Sequence, residues 1–296
     1  MKDYLDIILA GSTAGILARI LLIRLDYRQY PGYPHGYISH LSLGAIASAL
    51  GAVAVPALME KDFTAFTFLA LAAQQFRDIR NIERETLENL EQTRLEKRGQ
   101  DYIEGIARTF EARNYLVMAT AFVTSIAAVL GGILAAAIIA AILIFLSKTL
   151  RAGKTVADIC EVVPAEISFK GSLLTIEGID IMSVGLPDMR EKIKNYGLAV
   201  MIKPKDDNAR ATIHDLGQRM AIAHTAAVVL GSKKDIDIPE YTPLVRKNPD
   251  TGAAALYIVP MEKDMKSLLL AVKRTPVLES ARTKPLRTQA GRIASD

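Results

Sequence analysis

The chain has 296 residues, a formal net charge of +4, half of its residues hydrophobic, 6% aromatic, no Trp and a single Cys. One thiol excludes an internal disulfide framework and a multi-cysteine metal site. Lys and Arg are dispersed and no DNA or RNA motif is present, so the basic balance points to cytoplasmic retention and anionic lipid rather than nucleic acid. The opening MKDYLD makes a poor signal peptide, because acids flank Lys2 and no small-residue cleavage site follows the first apolar block. The first helix is therefore expected to stay.

A first span is predicted from about Ile7 to Ile23, just long enough to cross a bilayer core of ~30 Å. Gly11, Gly15 and Arg19 fall on one helical face, and the two glycines form a GxxxG pair that lets another backbone approach, in this or another subunit. Arg19 is close enough to the helix end to snorkel towards the headgroups, which is the expectation preferred over a buried functional charge. The loop Asp26 to Tyr37 has helix-breaking prolines and glycines, and tyrosines suited to the headgroup zone. A second span follows from about Ile38 to Met59, with Gly44, Ser48 and Gly51 offering close packing and Pro56 a kink. After the Glu60-Lys61-Asp62 turn, a third segment from Phe63 to Phe76 is short for a crossing and could be re-entrant.

From Arg77 to Arg98 the chain is densely charged, yet Phe76, Ile79, Ile82, Leu87 and Leu90 trace an apolar stripe on a helix. It reads as an amphipathic connector, or as a solvated one held by local pairs such as Arg80 with Glu83. Beyond Gly99 a new stripe of Ile103, Ile106 and Phe110 begins, with Glu104 and Arg108 placed as an i, i+4 pair. Tyr115 to Ser147 then carries no charge. As one helix it would reach ~50 Å, well beyond the core thickness, whereas a hairpin turning at Gly131-Gly132 gives two arms of ~23 Å. Four or five membrane segments result. The many arginines between segments three and four place that loop in the cytoplasm, and the charge rule then favours five, with Lys148, Arg151 and Lys154 on the same side.

The remainder reads as a soluble α+β domain. Leu173 to Val184 and Leu198 to Ile202 are predicted strands, with a polar helix at Pro187 to Tyr196 between them. A long helix is predicted over Asp207 to Leu230, stopping at Gly231, then a hairpin from Pro243 to Val259 and a last helix from Lys263 to Val272. The tail beyond Thr275 is basic and poor in apolar residues, the composition of a disordered segment that touches anionic lipid. The expected organisation is thus three membrane segments in 1–76, a charged connector in 77–114, a membrane segment or hairpin in 115–147, the α+β domain in 148–275 and a disordered tail in 276–296. As the only thiol, Cys160 is expected to report which side of the membrane the domain occupies.

Chemistry is sparse. His35 and His40 are five residues apart and His214 and His224 ten apart, spacings that put neither pair on one helical face, so no metal motif and no cofactor is expected. A lone His214 or His224 on a helix is more simply structural. No apolar span holds several ionisable groups, which ranks an ion transporter low. Asp250-Thr251-Gly252 matches the core of aspartic protease motifs, where two carboxylates share a proton. Here it follows Arg246-Lys247-Asn248-Pro249 rather than an apolar strand, and N-P-D-T-G is what a hairpin turn requires. Asp250 is accordingly only a weak catalytic candidate. Gly153-Lys154-Thr155 matches the end of a phosphate-binding loop but lacks the preceding glycine, since position 148 is Lys.

Tyr102 to Ala107 spells YIEGIA within DYIEGIARTFEARNYLVM, a specific string that resembles the signature of the YIEGIA family of membrane proteins from endospore-forming bacteria. The resemblance implies an integral membrane protein connected with sporulation or germination, with a small capping-complex protein as partner; the spans and the charge rule make it a multi-pass cell-membrane protein with its soluble domain cytoplasmic. The resemblance leaves open whether the protein is a membrane protease controlled by that partner, and carries over no catalytic set. Around the signature, Tyr102, Glu104, Arg108 and Glu111 are the expected partner-binding residues, because mixed charge suits orientation-specific pairing; a structural elbow is the plainer reading. Gly11, Gly15 and Arg19 are the expected helix-packing residues, with a homo-oligomer through the membrane helices as one outcome.

Overall fold

A computed structural model describes residues 4–26, 36–92, 94, 96–149, 153–235, 238–239 and 243–282. The chain divides into two compact units, Met1–Leu87 with Ile106–Ala152, and Glu88–Gly105 with Gly153–Asp296. Most of the loop 26–37 and the tail from 283 lie outside the described residues.

The first unit is helical, built from α1 (Leu5–Asp26), α2 (Gly36–Met59), α3 (Phe63–Gln74), the start of α4 (Phe76–Gln92) and most of α5 (Gln100–Thr149). Among the described residues three helical stretches, Leu5–Ile23, Gly36–Met59 and Gln100–Ser147, are long and apolar enough to cross a membrane. Small residues set how closely these helices approach. A Cβ added at Gly11 would lie 2.7 Å from the Ala121 carbonyl oxygen, and one at Gly15 would lie 2.9 Å from Ser48 Cβ and 3.1 Å from the Val117 carbonyl oxygen. Ser125 Oγ donates to the Ile7 carbonyl at 3.2 Å and Ser48 Oγ to that of Ser12 at 2.7 Å. Residues 7, 11 and 15 thus descend as 125, 121 and 117 rise, making α1 antiparallel to α5. The GxxxG face is used inside the chain, where its bare backbone admits the neighbouring helices.

α5 is 50 residues long but leaves helical geometry at Gly132, with φ 73° and ψ −172°, a conformation that glycine alone adopts without strain. A Cβ at Gly131 would lie 2.7 Å from that of Ala135, where an unbroken helix keeps such pairs about 5–6 Å apart. The axis therefore changes direction sharply at the expected glycine pair.

The second unit holds α6 (Val156–Ile159), β1 (Cys160–Ala165), β2 (Ile167–Lys170), β3 (Leu173–Ile176), β4 (Ile179–Ser183), α7 (Pro187–Tyr196), β5 (Leu198–Pro204), α8 (Asp207–His214), α9 (Leu216–Leu230), β6 (Lys234–Asp235), β7 (Ile238–Pro239), β8 (Leu244–Lys247), β9 (Ala254–Ile258) and α10 (Met265–Arg274). An antiparallel sheet in the order β1-β5-β9-β8 forms the middle layer. Side chains alternate across it. Val200, Ile202, Leu256 and Ile258 pack against Ile213, Ile222 and Leu268 of the helices, whereas Met201, Ala255 and Tyr257 pack on Leu174, Ile176 and Ile181 of the β2-β3-β4 sheet.

Two predicted elements divide. The expected strand 173–184 becomes a hairpin, because Glu177 and Gly178 both take positive φ, 45° and 84°, the requirement of a two-residue hairpin turn. The expected helix 207–230 breaks at Asp215, whose carboxylate caps α9 by accepting from the Gln218 N–H at 2.9 Å, as N-caps do. The domain also runs further than 275: Val277, Leu278 and Ala281 are buried and Gln218 Oε1 accepts from the Leu278 N–H at 2.7 Å. The first part of the expected disordered tail is therefore ordered.

Candidate functional site

Single ionisable groups scattered through the sequence meet in the first unit. Arg19 of α1 is fully buried rather than snorkelling, contrary to the sequence expectation. Its Nε donates to the His40 carbonyl at 3.3 Å and its guanidinium lies over the Phe110 ring, 5.6 Å from the centroid. Gly44 makes the room, since a Cβ there would lie 2.5 Å from Arg19 Cγ. The His40 ring also packs on Phe110 with centroids 4.7 Å apart, and its Nε2 is 3.3 Å from Glu83 Oε1. Arg113 and Asn114, one turn past Phe110, are buried as well.

α4 supplies Glu83 from the face of the predicted stripe, where it takes the inward place expected for Ile82. Phe76, Glu83 and Leu87 are buried, while Ile82 is 61% exposed. Arg80 does not pair with Glu83 but with Glu111 of α5, at 3.1 Å. The predicted partner residue Glu111 is thus engaged within the first unit. No single span announces this cluster; the signal was an acid, Glu83, between apolar residues at helical spacing.

The YIEGIA signature straddles the boundary between the units, which falls between Gly105 and Ile106. Tyr102, Ile103, Ile106 and Ala107 are buried, Glu104 is half-buried and Arg108 exposed. Tyr102 was expected at a partner surface; instead its ring meets that of His224 edge-on, with centroids 6.1 Å apart. The Arg98 guanidinium lies 5.9 Å from the Tyr102 ring centroid and donates to Glu91 Oε1 at 2.6 Å. Glu96 Oε1 accepts from Ser232 Oγ, and a Cβ on Gly105 would lie 2.6 Å from Ser280 Oγ. Residues 88–105 are in this way packed as part of the second unit.

Burial, and then the Arg98 charge, hold the His224 pKa below its ordinary 6.5. Burial, and then Lys247, Arg210 and Arg219, do the same for His214. Because the folded state refuses protons that the unfolded chain accepts, stability is full above about pH 6.5 and declines as pH falls through the depressed pKa values. Thermal unfolding followed from about pH 7.5 down to about pH 5.5 should show this decline, and the double variant His214→Gln/His224→Gln should flatten it. An unchanged slope would locate the titration elsewhere.

Asp250 sits exposed in the β8–β9 turn. Asn248 Oδ1 accepts from the N–H groups of Asp250 and Thr251, at 2.8 Å and 3.2 Å, and Gly252 closes the turn with φ 73°. Arg210 donates to the Asp250 carbonyl at 3.3 Å. These are the bonds of an Asx turn. Among the described residues no group of three or more His, Cys, Asp or Glu could hold a metal ion.

Comparison with known proteins adds two matches. The YIEGIA protein family matches residues 7–288. YphB of Bacillus subtilis (strain 168), an endospore former whose protein is described as uncharacterized, is 41% identical over 285 residues, covering 96% of each chain. No solved structure matches. The match extends from the first helix to beyond the last, with the signature that crosses the unit boundary inside it, and the chain belongs to the YIEGIA family.

Proposed function

We propose that the protein is a multi-pass cell-membrane regulator or scaffold of sporulating or germinating cells, whose cytoplasmic second unit works with a small capping partner. The observation that carries this reading is the single helix α5, which begins among residues packed in the second unit and continues as the apolar stretch of the first. A helix shared in this way suits a protein that relates a membrane anchor to a binding domain. Half-buried Glu104 in the signature and exposed Arg108 just after it carry opposite charges, and mixed charge of this kind sets orientation in protein pairs. Replacing both with alanine is expected to reduce recovery of the small partner in affinity capture, with membrane levels of the protein unchanged. Equal recovery would reject docking at the signature.

The second arm of α5 returns through the bilayer as a hairpin. Ser125 is level with Ile7, so a straight continuation beyond Gly132 would carry the uncharged stretch Ile133 to Ser147 past the N-terminal end of α1 and out of the apolar layer. The return puts the second unit on the side of the arginine-rich connector, which the charge rule makes cytoplasmic. Cys160 cannot report this in the folded protein: it is 2% exposed, and burial pushes its thiol up to about 12. An impermeant maleimide should leave Cys160 unlabelled in intact and in permeabilised cells alike. A cysteine introduced at exposed Lys170 should label only after permeabilisation. Labelling of Lys170→Cys in intact cells would put the domain outside.

A further inference from the structure

A groove of about 290 Å³ opens on the side of the first unit, between α2, α3 and α5. Leu50, Ala54, Phe66, Ala70 and Phe122 wall it, with Tyr115 at one end, where the Tyr115 hydroxyl donates to the Ala73 carbonyl at 3.5 Å. Ala73 is level with Tyr115, and Phe66 shares the other end with Phe122, so the groove follows α5 for about 10 Å at 1.5 Å per residue. Past the Tyr115 end, the chain leaves α3 through Gln74 and Gln75 to the exposed Arg77.

We propose that this groove holds one acyl chain of an anionic phospholipid, whose phosphate is met by Arg77. The inference rests on the membrane reading above and names a ligand for it. With ~30 Å³ for each water-sized group, the volume takes about ten methylenes, and apolar walls give water none of the two to four polar partners it needs. The flanking helix fits the role: α3 spans 12 residues, none of them buried, so it presents apolar surface to groove and surroundings alike. Charge fixes the lipid class. Arg80 is bonded to Glu111, Asp78 lies on a different face of α4 from Arg77, and the junction falls on the side where the charge rule puts the cytoplasmic, anionic leaflet.

The test reconstitutes the full chain in nanodiscs containing phosphatidylglycerol that carries a photoreactive group in one acyl chain. Crosslinks are expected on α3 and the 115–122 stretch of α5, reduced at least fivefold in Ala70→Trp and in Ala119→Trp, which fill the groove from opposite walls. Both variants are first checked for wild-type thermal unfolding; agreement between them keeps a local packing defect in either from deciding the result. Arg77→Gln should retain the crosslink but lose the preference for phosphatidylglycerol over phosphatidylcholine. Unchanged crosslinking in both tryptophan variants, or a crosslink to a second copy of the chain in place of lipid, would overturn the assignment. Equal labelling of the wild type by phosphatidylcholine would overturn the anionic headgroup. Release of the protein from native membranes by alkaline carbonate would instead sink the membrane reading itself, so the two failures are told apart.

Discussion

Replacing Arg19 with alanine is expected to destabilise the first unit by about 3–5 kcal/mol, the usual cost of removing one partner from a buried charged network. Arg19 is fully buried, donates to the His40 carbonyl and covers the Phe110 ring, and His40 in turn reaches Glu83. Truncation would leave the His40 carbonyl without this donor and open a space beside Gly44, whose missing side chain is already filled by the Arg19 stem. Both losses act in the same direction, since a lost buried hydrogen bond and an unfilled cavity are each unfavourable. Had Arg19 snorkelled, the substitution would change little. Thermal unfolding of the detergent-purified protein separates these outcomes: a midpoint close to wild type would show that the guanidinium does not hold the helices together. Glu83→Gln gives a graded companion, because it keeps a hydrogen-bond acceptor for His40 while removing the charge.

This cluster marks where sequence reasoning reaches its limit. Apolar length and charge asymmetry were legible because they depend on composition along one segment, so the helices of the first unit and the break at the glycine pair could be read directly. The partners of Arg19 could not, since they come from α2, α4 and α5 and meet only through the register of packed helices. The stripe on α4 misled at one position for a related reason: hydrophobicity favoured Ile82 as the inward residue, yet Glu83 is drawn inside by His40 and Ile82 is left exposed. In the second unit, the helix at 187–196 and the β8–β9 hairpin were signalled by Pro187 and by the N-P-D-T-G turn. β1 and β2 were missed; β1 is an edge strand that carries Pro164, a residue that argues against a strand when read from sequence. The lone thiol was misjudged as a reporter because its burial depends on a sheet and helices contributed from distant parts of the chain.

Tyr102→Ala should cost the second unit about 3–5 kcal/mol, the range for deleting a large buried aromatic side chain. The signature string reads as an interaction surface when its charges are counted, but its burial pattern is that of a packed seam. Tyr102 and Ile103 are inside the second unit, with His224 and Arg98 against the Tyr102 ring, and Gly105 is kept bare by Ser280 and Leu278. Met220 closes on Gly99, and the Asp101 carbonyl on Gly217, so α9 meets the 88–105 segment along several turns. Truncating Tyr102 removes a ring that packs on both His224 and Arg98 and should loosen this seam. Limited proteolysis is the direct readout: cleavage after the basic residues Arg94, Lys97 and Arg98 should become much faster in Tyr102→Ala, while Glu104→Ala and Arg108→Ala, which alter the opposite charges, should leave it near wild type. If cleavage is unchanged in Tyr102→Ala, the seam does not depend on the signature tyrosine. If the charge variants expose the connector as strongly as Tyr102→Ala, then Glu104 and Arg108 hold the fold, and their substitution can no longer serve as a clean test of partner binding.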